Sequence, residues 1–413
     1  MIAFTAIIEE GRSLAPFTES RGAQVIDVRL DGTLTLPFFA TQGTPLSAIT
    51  RATFTGTILR MVGVPNSEEQ VQRRSAIIAR IVAQLCQEHA QERLQKWPEE
   101  KRDQIVRHAL ALANWAQARR VSDTEAFVDF RDWQSQHPEA AATLLAGLTE
   151  TAIREFETSQ TRKLHDLVFA YLEPDEELTL SAFQEYFSLS DEDEEECRWL
   201  ATLLVPWCRD GNYGVLFDGV PNVSLDTPVL HLELSFIPEG AKEVKPVIGF
   251  GALHAVRQRC LSLPRQVRKR VVIEEVSRFL QIPGGEAILR ELFEQFRKFG
   301  VQVIIVAQQY ARLADTPIRA AVMGNTRGWL IFNTGDRRDV ERLSQDLGLS
   351  QAAQETILRF SRPDQQTGPK FSEFLYWHSD VRQPICGPVR YSLLPHKVEN
   401  PPPTTTNPSS HHA

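Results

Sequence analysis

The stretch KRVVIEEVSRFL, Lys269 to Leu280, is the part of this sequence that says most about its fold. A basic start leads into a short run of β-branched apolar residues, which is typical of a buried strand. The run ends in two adjacent carboxylates, Glu274 and Glu275. Burying an unpaired carboxylate is costly or forces it to take up a proton. Two of them at the end of a core strand therefore need an explanation.

Two explanations fit the stretch itself. In the first, the strand simply ends and the acids occupy the first turn of the next helix, where the helix dipole favours negative charge. In the second, the pair lies at the carboxyl edge of a parallel sheet, where α/β proteins bind their ligands. There, Glu274 would hold Mg²⁺ through water and Glu275 would polarise an attacking water, as in nucleotide hydrolysis.

The composition describes an ordinary folded protein of more than one domain. The chain has 413 residues, of which 42% are hydrophobic and 24% charged, and this length exceeds that of one small core. A net charge of -8 and a pI near 5.8 argue against a surface built as a whole to grip nucleic acid. Five scattered cysteines without metal spacing indicate reduced cytosolic thiols. No apolar run approaches the length of a bilayer span.

Hydrophobic periodicity changes along the chain. Strand-like runs, MIAFTAII, AQVIDVRL and TLTLPFF, come first, and a long series of amphipathic helical patterns follows. From Gly211 onward strands and helices alternate, with GVLFDG, PVLHLELSFI, RVVIEEV, VQVIIVAQQ and GWLIFNTG as strands. The predicted domains are N-terminal strands at 1–57, an all-α insertion at 58–210, the main α/β domain at 211–395 and a disordered Pro/Thr/Ser-rich tail at 396–413.

This alternation predicts an α/β fold with a mostly parallel sheet flanked by helices and interrupted by the all-α insertion. Strands from both ends of the chain are expected to join one sheet. The acidic pair then follows an inner strand, and the next strand ends in Gln308 and Gln309. An amide at that place can sense a phosphate or orient the attacking water. The other interpretation is that these glutamines are only the polar exit of a buried strand.

Basic residues offer weaker candidates. Arg297 and Lys298, before Gly300, could act on a neighbouring subunit's phosphates, or could only complement a helix C-terminus. The cluster PRQVRKR, Pro264 to Arg270, has no interleaved aromatic residues and reads as a solvated loop. The acidic run DEDEEE, Asp191 to Glu196, reads as a solvated first helical turn.

A phosphate-binding loop of the form G-x-x-x-x-G-K-[ST] is absent from the sequence. No lysine in the 413 residues is followed by serine or threonine. The segments EEGRS and GTPLS resemble such a loop only superficially, because neither contains the lysine that holds the phosphates.

The order of several segments nevertheless resembles the motor domain of TraC-type conjugation ATPases of type IV secretion systems, in the TraG/TraC P-loop family and related to HerA/FtsK RecA-like motors. The segments are IIEEGRSLAPF, LTLSAFQEYF, GNYGVLFDG, PVLHLEL, VVIEEV, FRKFGVQVIIVAQQ and GNTRGWLIF. The resemblance covers nearly the whole chain and implies a RecA-like fold.

The resemblance assigns roles to individual residues. Glu274 matches the Mg²⁺-associated acid, usually Asp in the family, and Glu275 matches the catalytic acid. The family's Thr-Gln strand end matches Ala307 and Gln308, so that the hydroxyl is lost and the amide kept. Glu9 or Glu10 stands where an Asp is common, and Asn325 precedes the last strand of the sheet. Arg297 and Arg327 are the candidates for a cation acting in trans.

The resemblance also implies ATP and Mg²⁺ as ligands, a hexamer or a mixed ring with a full-length ATPase, and secretion-channel partners at the cytoplasmic face of the inner membrane. DNA contact has no support in the sequence. In this family the phosphate loop lies just upstream of the first strand seen here. We therefore expect either that Met1 is not the true start of a longer ATPase, or that the chain is a truncated, non-catalytic paralogue acting as an interaction module.

Overall fold

A computed structural model of the chain describes residues 4–36, 38–121, 123–191, 193–223, 227–238, 241, 243–280, 285–361, 370–379 and 385–392. The chain forms two compact units. The first contains Met1–Gln308 and Asp315–Asn325, and the second contains Gln309–Ala314 and Thr326–Ala413. The predicted tail at 396–413 lies outside the described residues.

The first unit is built on a five-stranded sheet. Its strands are β1 (Phe4–Glu9), β2 (Val25–Asp27), β3 (Val229–Glu233), β4 (Lys269–Ile273) and β5 (Val301–Ile305). They are parallel and lie in the order β2-β3-β1-β4-β5. Strands that precede and follow the helical insertion therefore share one sheet, which confirms the predicted α/β fold class.

Burial decreases across this sheet from β1 to β5. Every residue of β1 and β3 is buried, as expected for strands covered on both faces. In β5 the side chains of Gln302 and Ile304 are exposed, and so is Val306 just beyond it. Among the described residues β5 pairs only with β4, which leaves its outer edge without a ladder.

Helices fill the chain between β2 and β3. They are α2 (Ala48–Met61), α3 (Glu68–Lys96), α4 (Glu99–Arg119), α5 (Asp123–Gln136), α6 (Pro138–Ala146), α7 (Glu150–Ser159), α8 (Thr161–Val168), α9 (Leu180–Leu189), α10 (Glu194–Leu204) and α11 (Gly214–Phe217), after the short α1 (Ala15–Ser20). Short 3₁₀ turns span Phe169–Tyr171 and Val205–Trp207. The caps follow the sequence: Ser47 and Ser67 accept hydrogen bonds from backbone N–H groups at the starts of α2 and α3.

The remaining helices of the first unit are α12 (Val244–Ser262), α13 (Val276–Leu280), α14 (Gly285–Glu294) and α16 (Arg319–Asn325), with a 3₁₀ turn at Phe296–Phe299. Helix α12 is buried over most of its length and packs against α2 and α14. Its guanidinium at Arg257 makes a two-pronged ion pair with Glu291 of α14, at 2.6 and 3.0 Å. Within the described part of the chain, no helix is both long and apolar enough to cross a membrane.

The second unit contains an antiparallel sheet, β6 (Gly328–Ile331), β7 (Phe371–His378) and β8 (Ile385–Ser392), with helices α15 (Tyr310–Ala314), α17 (Arg337–Leu347) and α18 (Gln351–Arg359). Alternation and register place one set of side chains on a single face of this sheet. Its exposed members, which we call the apolar face, are Leu330, Phe332, Ile385, Val389 and Tyr391.

Two strand predictions were wrong, and a third predicted strand lies in a different sheet. GVLFDG forms the short helix α11, and TLTLPFF forms no strand among its described residues, although Phe38 and Phe39 are buried in the core. GWLIFNTG contains β6, but β6 pairs antiparallel with β7 instead of joining the parallel sheet. The predicted domain boundaries stay a prediction.

Two surface predictions are refined. In the acidic run, Glu196 and Asp193 pair with Arg74 and Arg80 of α3, at 3.3 and 3.1 Å. In the basic cluster, Lys269 is buried and donates to the carbonyl oxygens of Pro264 and Phe299. Some residues of each charged run therefore make contacts that stabilise the fold, instead of being only solvated.

Candidate functional site

Carboxylates gather at the carboxyl edge of the parallel sheet. Glu9 and Glu233 are the last residues of the neighbouring strands β1 and β3 and lie opposite each other in register. Glu274 follows β4, and its backbone N–H donates to the carbonyl of Ile8. Parallel strands end at the same edge of a sheet, so three acidic residues from distant parts of the chain lie in one place, although the first and last are more than 200 positions apart.

The side chain of Glu233 stabilises the turn after β1. Its carboxylate accepts backbone N–H bonds from Gly11, Arg12 and Ser235, with the nearest oxygens at 3.1, 2.7 and 2.7 Å. Burial alone would raise the pKa of Glu233, but the donors of Ser235, Gly11 and Arg12 hold it below its ordinary value. This acid is fully buried and ionised, and it fixes the turn rather than facing a ligand.

His231 links two other buried groups. Its Nδ1 lies 2.7 Å from Oγ1 of Thr18, and its Nε2 lies 2.9 Å from Oε1 of Glu9. Burial lowers the pKa of His231, while the neighbouring carboxylate of Glu9 opposes that shift. Thr18, His231 and Glu9 are all buried, so a substrate cannot reach them. The role of Thr18 and His231 is to hold the Glu9 side chain in position.

Ser13 connects that buried triad to the acidic pair. Its hydroxyl lies 2.8 Å from Oε2 of Glu9 and 3.1 Å from Oε1 of Glu274. Burial raises the pKa of Glu274, and the charges of Glu9, Glu233 and Glu275 raise it further, against the hydrogen bond from Ser13. Glu274 is thus half-buried and lies near the negative charges of other carboxylates.

Glu275 is held differently. It is 9% exposed and has a φ of 50°, in the left-handed region that few non-glycine residues adopt. Its Oε1 accepts a hydrogen bond from the Ser277 hydroxyl. The chain continues into α13 from here, and the N–H of Val276 donates to Val306 O. The two adjacent acids therefore have separate environments, and neither simply caps a long helix.

The glutamine and arginine candidates lie in three places. Gln308 is exposed and follows β5, which is in register with β4 through Ile273 and Ile305; it shares the carboxyl edge with Glu275. Arg297 precedes β5 and lies at the opposite edge, about 16 Å away along a five-residue strand. Arg327 belongs to the second unit, where its carbonyl accepts from the N–H of Ser379.

The acidic edge suits a hard divalent cation. Mg²⁺ takes oxygen ligands and keeps much of its water, and Glu274 offers a carboxylate whose pKa is raised first by burial and then by the neighbouring negative charges. Donor atoms of Glu9, His231 and Glu233 also lie within 4.8 Å of one another. The carboxylates of Glu9 and Glu233, however, already accept the hydrogen bonds described above. The residue that fits Mg²⁺ best is therefore Glu274.

The sequence alone did not identify Ser13, Thr18, His231 and Glu233. PVLHLEL was predicted as a strand, and its exit at a glutamate resembles that of VVIEE. That parallel was the available signal. Nothing local in the sequence shows that His231 lies beside Thr18, which is 213 positions away.

Comparisons with known proteins identify the family. The model of the TraG P-loop domain matches residues 133–384, more than half of the chain. The chain belongs to the TraG P-loop domain family. This confirms the resemblance found in the sequence to conjugation and type IV secretion ATPases.

One solved structure supports the fold of this TraG-family chain, and a second is similar at a lower level. VirB4 of Thermoanaerobacter pseudethanolicus is 14% identical, with a TM-score of 0.59 over 93% of this chain and 81% of that one. The plasmid coupling protein TrwB in complex with a GTP analogue is 14% identical, with a TM-score of 0.39 over 95% and 85%. The VirB4 match carries the RecA-like fold assignment. No curated protein matches the chain.

Proposed function

We propose that this chain is the motor portion of a type IV secretion or conjugation ATPase, and that a phosphate-binding loop outside residues 1–413 completes its nucleotide site. The observation that carries this proposal is the carboxyl edge, where Glu274 and Glu275 follow the inner strand β4 and Gln308 follows β5. A ligand at this edge is what parallel α/β sheets are built to hold.

Each residue of the edge has a role in the proposal. Glu275 orients and polarises the attacking water, and the amide of Gln308 senses the γ-phosphate. Glu274 would hold Mg²⁺ through water, and the ion would supply neutralisation of charge on the phosphates. Ser13 keeps Glu274 in place: its hydroxyl lies 3.1 Å from Oε1 of Glu274 and 2.8 Å from Oε2 of Glu9, and it can donate its single proton to either carboxylate.

The free edge of β5 supports the idea that a further segment is added here. An unpaired strand presents a row of backbone donors and acceptors that a further strand can use. Beside it, Ile304 and Val306 are 36% and 44% exposed. We propose that the strand leading into the phosphate loop covers this edge.

The experiment compares the chain as it stands with a longer version carrying an in-frame phosphate-loop segment ahead of residue 1. Restored MgATP turnover in the longer version, and its loss on Glu275→Gln, are the expected results. Glu294→Gln, an exposed glutamate of α14, is the matched control and should leave turnover unchanged. Unchanged turnover in the Glu275→Gln version would refute the catalytic proposal.

A second proposal is favoured by the absence of any G-x-x-x-x-G-K-[ST] loop in the 413 residues. In it, the chain is a non-catalytic module that keeps the RecA-like sheet and binds secretion partners or enters a ring with a full-length ATPase. It predicts no binding of MgATP by the chain alone. Saturable binding in a micromolar titration would rule it out.

The assembly is also a proposal. We infer a hexamer or mixed ring at the cytoplasmic face of the inner membrane, with Arg297 or Arg327 acting on a neighbouring subunit. The position of Arg297 at the opposite sheet edge from Glu275 supports a role in trans, because it is too distant to act on its own chain's edge. Analytical ultracentrifugation of the longer version with MgATP would test the ring.

A further inference from the structure

A cavity of about 410 Å³ lies in the first unit, away from the acidic edge. Its walls come from the loop before α2 and from α2, α4, α5, α7, α8 and α12. Cavities of this size are typical of small-molecule sites. It is therefore large enough for a ligand and is built from the helical insertion together with the main α/β layer.

The walls of the cavity are mainly apolar. Side chains of α4, α5, α7 and α12 contribute Leu112, Phe127, Phe156 and Leu261. Small residues such as Ala113 leave room between them. Such a surface favours a hydrocarbon or another apolar body, because removing apolar area from water on binding is favourable.

The charged residues of the lining are unequal in sign. Arg51, Arg162, Lys163 and Arg257 are basic, whereas Asp166 is the single acidic side chain among the described residues that line the cavity. Such an excess attracts an anion where acids outside the lining do not offset it.

Two of the basic residues are held in ion pairs. Arg51 is paired with Asp166 through two bonds of 2.6 and 3.2 Å, and Arg257 is paired with Glu291. Arg162 and Lys163, in the first turn of α8, are exposed, and Lys163 also interacts with another group of the chain. The N-terminus of α2 also reaches the lining at Ser47 and Ala48, and its dipole adds positive potential.

We propose that this cavity binds an amphipathic anion, with one acidic head at Arg162 and Lys163 and an apolar body between α4, α5 and α7. The proposal rests on the combination of the exposed Arg162 and Lys163, which we call the basic mouth, with the apolar walls. The site is independent of nucleotide, because none of its lining residues belongs to the sheet edge that holds Glu274 and Glu275.

Calorimetric titration of the full chain with decanoate, below its micelle-forming concentration, tests the site. Decanoate should bind with saturation at about one molecule per chain, and decanol and decyltrimethylammonium should bind at least about tenfold more weakly, a difference of about 1.4 kcal/mol. Equal binding of decanoate and decanol would overturn the role of the basic mouth. Absence of saturable decanoate binding would overturn the proposal.

Variants locate the binding. Arg162→Glu should weaken decanoate binding at least about tenfold, whereas Arg154→Glu, an exposed arginine of α7 outside the lining, should leave it within about twofold. Ala113→Trp should block the cavity, and Ala142→Trp on the exposed side of α6 is its control. Circular dichroism checks the fold of each. If Ala113→Trp unfolds, the comparison of Arg162→Glu with Arg154→Glu tests the site by itself. Unchanged decanoate binding in Arg162→Glu would place the anion elsewhere and refute the site.

Discussion

His231 is buried between Thr18, 2.7 Å from its Nδ1, and Glu9, 2.9 Å from its Nε2. We expect His231→Phe, which keeps the ring but removes both nitrogens, to lower the free energy of unfolding by about 2–4 kcal/mol, because Glu9 and Thr18 lose a buried partner. Urea denaturation measures this loss. The exposed His137→Phe should change it by less than about 0.5 kcal/mol; equal effects would show that the triad is not structural.

Glu177 makes stability depend on pH. Burial raises its pKa to about 8, against the hydrogen bonds from Thr41 and Gln42. The folded state therefore binds an extra proton between the ordinary pKa of 4.5 and about 8, so the stability that this group contributes falls as pH rises through that window.

Glu177→Gln removes this titration. We expect the unfolding free energy of the variant, relative to that of the wild type, to increase by at least about 1 kcal/mol between about pH 5 and about pH 8. Parallel urea denaturation at the two pH values measures the change. The exposed Glu155→Gln should give a difference that is nearly constant with pH, and a flat difference for Glu177→Gln would contradict the argument.

At the scale of elements, α12 approaches the loop after β2 so closely that one glycine is required. A Cβ at Gly251 would lie 1.8 Å from two ring atoms of Phe38, which is 2% exposed and packed against Phe217. Gly251→Ala should therefore lower the unfolding free energy by about 1–3 kcal/mol through overpacking. Thermal and urea unfolding measure it.

Gly324 of α16 provides the matched control. It is also helical, but a Cβ there meets nothing within 4 Å. Gly324→Ala should stabilise the chain by up to about 1 kcal/mol, because alanine loses less backbone entropy in a helix. Two Gly→Ala changes of opposite sign would confirm that contact with Phe38, not helix propensity, decides the outcome at Gly251.

The elements show what the sequence could reveal. Near-continuous apolar runs such as RVVIEEV predicted β3, β4 and β5 correctly because full burial leaves a clear pattern. TLTLPFF is equally apolar, yet Phe38 and Phe39 enter the core without a strand; burial and ladder pairing are separate requirements. The four residues of α11 are too few for any period to be recognised.

The candidate site was predictable only in part. Glu274, Glu275 and Gln308 follow strands, so strand order alone brings them to one edge. The left-handed φ of Glu275 and the bonds from Ser13 depend on how distant segments meet. A local pattern contains no information about such contacts, which is why His231 and Glu233 were missed.

At the scale of the whole molecule, we expect the apolar face of the second unit to promote self-association. Exposed apolar patches promote association, and Leu330 and Val389 are 58% and 39% exposed. The double change Leu330→Lys with Val389→Lys should lower light scattering of the concentrated protein several-fold. Leu189→Lys with Val220→Lys alters comparably exposed residues outside this face and should have a smaller effect. Equal effects would show that general charge, not this face, controls association.

The strand order has a consequence for synthesis on the ribosome. Thr5 of β1 is in register with Val229 of β3, so β1 must wait for a partner made 224 residues later. At about 5–20 residues per second this takes roughly 10–45 s. During that interval the helices of the insertion can form from local contacts, whereas the apolar β1 remains without its sheet. The nascent chain therefore exposes an apolar, unpaired strand while the helical insertion is being made, and we expect molecular chaperones to bind it during that interval.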